Sequence, residues 1–67
     1  MVSKEESMAI IKQLQEFYSI RQIAEYMDKH YITIHRWKHG TNVPSIGEYR
    51  NLQAVLREKQ KGVTNDK

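Results

Sequence analysis

Residues 20–44, IRQIAEYMDKHYITIHRWKHGTNVP, decide the fold. Ile20, Ile23, Ala24 and Met27 step by three and four, as one face of a helix does. Asp28, Lys29 and His30 interrupt that face with a polar break too short to form an element. Ile34 and Trp37 then make a second apolar set, three apart, in a segment that is otherwise basic, aromatic or hydroxylic. Gly40 closes it, at the kind of position where a left-handed residue ends a helix. The spacing predicts helices over 20–27 and 31–39, meeting at a sharp angle through a short turn. Such a helix-turn-helix can lay its second helix in a DNA major groove.

The flanks supply more helices. Ser3 and Glu6, Ser19 and Gln22, and Ser45 and Glu48 each have capping-box spacing. Ile10, Ile11, Leu14, Phe17 and Tyr18 form the stripe of a first helix over roughly 4–17, with Glu5 and Glu6 at its positive end. Ile46, Tyr49, Leu52, Val55 and Leu56 form a broad stripe on a fourth helix from about residue 46 to Arg57. Gly47 weakens its first turn. The expected fold is all-α, a compact bundle of four short helices around the central helix-turn-helix. One domain spans 1–59, and residues 60–67 are polar, without period, and expected to be disordered.

The central segment also resembles the helix-turn-helix of phage repressors of the Cro and lambda-repressor type and related bacterial regulators. In that family an alanine sits where the two helices cross, matched by Ala24, and an aliphatic residue ten positions later enters the core, matched by Ile34. A Trp-x-x-Gly-x-x-x-Pro run then ends the recognition helix, matched by Trp37, Gly40 and Pro44. Three positions depart from the pattern. Asp28 holds the turn position usually given to glycine, and Lys29 replaces an apolar residue that would anchor the turn. His30 stands where serine or threonine usually caps, and is expected to cap poorly.

The resemblance implies a DNA interface. The family reads bases from positions matching His30, Tyr31, Ile32, His35 and Arg36. With Ile34 and Trp37 turned inward, helical geometry puts Tyr31, Ile32, His35, Arg36 and His39 on the other faces. Ile32 has no core use there and suits thymine methyls, while Arg36 suits guanine O6 and N7 or a phosphate. Lys38, His39, Thr41, Asn42 and Arg50 are candidate phosphate contacts, with the amides of the Gly40–Pro44 loop beside them. The family's phosphate-binding glutamine is replaced by Ile20. Arg21 stands next to it, either as a substitute contact or as an exposed neighbour of Glu25. Trp37 is expected in the core rather than as a stacking platform.

Bulk numbers bound these expectations. Sixty-seven residues make one small domain with a thin core. The 39% hydrophobic and 28% charged content is ordinary for a globular helical domain. The absence of cysteine excludes disulfides and thiolate zinc sites. His35 and His39 are four apart, but no nearby carboxylate or cysteine completes a metal site, so neither metal nor cofactor is expected. No apolar run approaches the ~18–20 residues of a membrane span, and MVSKEES lacks a signal-peptide apolar region. The expected compartment is the cytoplasm of a bacterium or phage-infected host, with no membrane partner and no evident small-molecule ligand.

Charge is uneven. Residues 1–28 set Lys4, Lys12 and Arg21 against Glu5, Glu6, Glu16, Glu25 and Asp28, a net charge of −2. Residues 29–67 set eight lysines and arginines against Glu48, Glu58 and Asp66, a net charge of +5, and hold all three histidines. A basic half suits a polyanion, although it also suits a plain solvated surface. Imidazoles facing phosphates gain protons on binding, so affinity is expected to rise as pH falls from about 8 to 6.

The fourth stripe is wider than one contact needs, so Val55 and Leu56 either meet a second copy or close the monomer core. The leading expectation is a sequence-specific regulator of double-stranded DNA, a small repressor acting as a dimer on a pseudo-palindromic operator. The alternatives are a recombination-directing or architectural DNA-binding factor, and a protein-interaction module such as an antitoxin or host-enzyme inhibitor. Catalysis is not expected, since no nucleophile, base and orienting group share a plausible spacing.

Overall fold

Three serines set the starts of three helices. In the computed structural model, which describes residues 1–64, each serine hydroxyl accepts the amide three residues on. Glu6, Gln22 and Glu48 each reach back to accept the amide of their own serine, at 2.8–2.9 Å. The helices are α1 Lys4–Leu14, α2 Ile20–Met27, α3 Tyr31–His39 and α4 Ile46–Thr64. There is no strand among the described residues, and no described helix is long and apolar enough to cross a membrane.

The helices meet over one core built from Ile10, Ile11, Leu14, Ile23, Ala24, Met27, Ile34, Trp37, Leu52 and Leu56. Helix α3 packs on α1 and α2, and α4 closes the base against the same two. Ile11, Leu14, Ile34 and Leu52 are wholly buried. Each such side chain contributes about 1.5–3 kcal/mol relative to an exposed one. Phe17, Tyr18, Ile20, Tyr49 and Val55 pack around the rim.

Four expectations are corrected. Helix α1 stops at Leu14 rather than near 17, because Glu16 and Phe17 donate to carbonyls only three residues back and the chain tightens into a turn. Phe17 and Tyr18 still reach the core from that turn. Helix α4 runs past Arg57 to Thr64, so residues 60–64 are helical; Arg57–Lys61 are good helix formers and sustain it without an apolar stripe. Residues 65–67 of the expected tail lie outside the described residues. Ile46, the first residue of the α4 stripe, is 55% exposed, being too near the helix start to reach the core. Leu56, considered for a contact with a second copy, is buried in the monomer, and Val55 is half-buried against the same core.

Both helices of the central unit end alike. Asp28 (φ 56°) and Gly40 (φ 76°) take the left-handed conformation, and the next amide in each case returns to a carbonyl five residues back, Lys29 to Ala24 and Thr41 to Arg36. A Cβ on Gly40 would fall 2.7 Å from Lys4 Cγ and Cε and 3.0 Å from Met8 Sδ. Those side chains can move aside, so backbone strain dominates there. Gly40→Ala is expected to lower stability by about 1–2 kcal/mol, with Gly40→Asn milder. Gly47 lies in open helix, with only Ser45 Oγ at 4.0 Å from an added Cβ. Gly47→Ala is expected to raise stability by about 0.5 kcal/mol. Urea denaturation of the three variants checks both signs.

Candidate nucleic-acid interface

What aims α3 is what it buries. Ile34 and Trp37 face inward at 0% and 3% exposure. Ser7, itself fully buried, donates its hydroxyl to the Trp37 carbonyl at 2.9 Å. No buried side-chain nitrogen or oxygen among the described residues lacks a partner, so the Trp37 indole N–H is not stranded. Ser7 precedes Ile10, Ile11 and Leu14 by three, four and seven, which puts it on the apolar face of α1. That spacing is the signal that reading by residue type passes over.

With that side held, Tyr31, Ile32, His35, Arg36 and His39 are all exposed. Tyr31 and Ile32 are 43% and 42% exposed, high for large side chains in a domain with so thin a core. At the start of α3 three side chains form a stack. The rings of His30 and Tyr31 lie 4.8 Å apart and 29° from parallel, and the Arg21 guanidinium sits 5.3 Å from the Tyr31 centroid. Arg21 thereby rests on the first residue of α3 while remaining exposed. Glu25 lines the same cleft as Arg21, Lys29, His30 and Tyr31, so the cleft is not uniformly basic.

The turn is better anchored than its sequence implies. Lys29 Nζ lies 2.7 Å from Glu48 Oε2, while Glu48 Oε1 accepts the Ser45 amide at 2.8 Å. One carboxylate thus joins the turn to the start of α4. The Lys29 bond, and then the Ser45 amide, hold the Glu48 carboxyl below its ordinary range. A depressed carboxyl stabilises fully above that ordinary range and loses the contribution as pH falls from there through its lowered folded-state value. Glu48→Gln keeps the capping geometry and removes the charge. It should cost about 0.5–1 kcal/mol at neutral pH and nothing in strong acid, as read by thermal melts across pH.

His30 is not the poor cap expected. Its Nδ1 accepts the Ile32 amide at 3.2 Å, which serves the first turn of α3. That ring is thereby committed to the start of α3, unlike those of His35 and His39. Their rings lie 4.4 Å apart on the outer face, and no group of three or more potential ligands for a metal occurs among the described residues. His30→Ala is expected to lower stability by about 0.5–1 kcal/mol, and His30→Ser to retain most of the cap, as read by urea denaturation.

The loop after α3 needs a further correction. The amides of Gly40, Thr41 and Asn42 donate to the Trp37 and Arg36 carbonyls, so they are not available to a phosphate. A helix C-terminus is also the negative end of its dipole. The Thr41 and Asn42 side chains remain exposed, as does Arg50 on α4, while Lys38 is half-buried. Arg36, Lys38 and Arg50 form no ion pair among the described residues. From Lys29 to Gly47 the sequence has no Asp or Glu, so nothing along α3 or its loops offsets those cations.

Compared with protein-family models, curated proteins and solved structures, the chain matches none. The resemblance to Cro and lambda-repressor proteins therefore rests on Ala24, Ile34, Trp37, Gly40 and Pro44, and on a helix order with a three-residue turn between α2 and α3.

Proposed function

We propose that this chain is a sequence-specific double-stranded DNA-binding regulator that enters the major groove with α3. The observation that carries the reading is the two-sidedness of α3. Ile34 and Trp37 are buried, and an exposed Ile32 stands among Tyr31, His35, Arg36 and His39 on a stretch without acids. Ile32 stands beside an exposed Tyr31, and the pair forms a small apolar patch among the basic side chains of α3. A groove offers it thymine methyls, and offers Arg36 the paired acceptors of guanine.

In this reading Arg21, Lys38, His39, Thr41, Asn42 and Arg50 approach the backbone, and His30, Tyr31, Ile32, His35 and Arg36 approach the bases. Tyr31, in contact with both the His30 ring and the Arg21 guanidinium, acts as a fixed wall. Regulation follows from occupancy: the bound protein excludes competitors from the same duplex, in the manner of a small phage-type repressor. Two copies on a pseudo-palindromic site extend the recognition length, although Leu56 has no part in their contact. With so few base contacts available to one short helix, phosphate neutralisation supplies most of the affinity.

Selection of bound sites from random duplex DNA tests the reading, and a symmetric enriched site is expected. Arg36→Ala should cost about 1–3 kcal/mol and relax the preference at one base pair. Arg50→Ala should weaken all sequences alike and reduce the salt slope by about one unit. A chain that ignores every duplex at low ionic strength excludes the proposal.

A further inference from the structure

A groove lies away from the exposed centre of α3, between the outer side of α1 and the last turn of α3. It has a volume of about 440 Å³ and is lined by Glu5, Met8, Ala9, Lys12, Lys38 and His39. Its floor is apolar, with Met8 38% exposed and resting against the Gly40 backbone. Around that floor stand two lysines and an imidazole against one carboxylate. Neither lysine forms an ion pair among the described residues.

A phosphodiester backbone suits the cations but not a floor of methionine and alanine. A small ligand is normally buried over most of its surface, and this groove stays open to solvent on its outer side. A segment of polypeptide fits both features. One large apolar side chain fills the floor, carboxylates before and after it meet Lys12 and Lys38, and the rest of the segment continues into solvent. Methionine adapts to such an anchor because its thioether chain is unbranched and polarisable.

We infer that the groove between α1 and the end of α3 docks an acidic segment of a partner protein through an apolar anchor flanked by carboxylates. The site stands independently of DNA binding. Where both occur, Lys38 and His39 belong to both surfaces, so the segment and a duplex compete for them. That competition gives a chain with no evident small-molecule site a protein-borne means of release.

The test is an amide-resolved NMR titration of the full chain with a blocked hexapeptide, Asp-Asp-Leu-Phe-Asp-Glu, in the absence of DNA. Saturable shifts are expected at Met8, Ala9, Lys12, Lys38 and His39. Lys12→Glu is expected to weaken binding at least tenfold, and Met8→Ala, which leaves charge intact, at least threefold. Lys12 is exposed, whereas Met8 also packs on Gly40. The spectrum of each variant without peptide therefore first checks that α3 keeps its place, and Lys12→Glu alone carries the test where Met8→Ala disturbs it. Absence of saturable shifts, equal binding of the peptide with lysines in place of its acids, or shifts confined to Tyr31, Ile32 and Arg36 would overturn the groove. A duplex titration run alongside separates the two readings, because loss of DNA binding with retained peptide binding removes only the regulator proposal.

Discussion

The rotation of α3 about its own axis is the constraint on which this structure depends. Successive residues on a helix are offset by about 100°, so a slip of one position would carry Thr33 and Arg36, or His35 and Lys38, toward the core. Three contacts prevent that slip. Ile34 and Trp37 fill the interior, and the Ser7 hydroxyl holds the carbonyl of Trp37. Lys4 and Met8 close over Gly40 just beyond the last turn. Two of the three come from α1, which presents none of the candidate base-reading residues. The first helix is therefore the aiming device for the third.

A second constraint falls on the turn. Its three residues must reverse the chain between α2 and α3, and none of them is the glycine, aliphatic residue or hydroxyl cap found in Cro-type proteins. Asp28 accepts a left-handed conformation that costs a non-glycine residue about 1 kcal/mol. Lys29 replaces apolar anchorage with an ion pair to Glu48, and His30 replaces a hydroxyl with a ring nitrogen. Each substitution keeps the geometry by another interaction. The new anchors are polar and partly exposed, so the turn responds to salt and acid where a buried one would not.

Much of this was legible in the residues, and for definite reasons. The three serine caps fixed the starts of α1, α2 and α4 because a hydroxyl followed by Glu or Gln at the third position has few other uses. The period of three and four placed Ile23, Ala24, Met27, Ile34 and Trp37 inside, and the exposed set on α3 followed from helical geometry. Helix ends were less legible, since Phe17 and Tyr18 serve the core from a turn as well as from a helix. The end of α4 was missed because a run of Arg, Glu, Lys and Gln carries no period yet propagates a helix. Ser7, Lys29 and His30 act through partners distant in sequence or through an unusual acceptor. The fate of Leu56 depended on how closely α4 sits on α1 and α2, which no stripe width determines.

The histidine cap carries a consequence for divergence. The ring that begins α3 also stands first among the side chains facing outward, so that site answers to two demands at once. Any replacement there must still present an acceptor to the Ile32 amide, which narrows the substitutions to Ser, Thr, Asn and Asp. Under the proposed DNA-binding reading, descendants of this chain could change preference at positions 32, 35 and 36 without touching a cap, whereas position 30 could move only within a small polar alphabet.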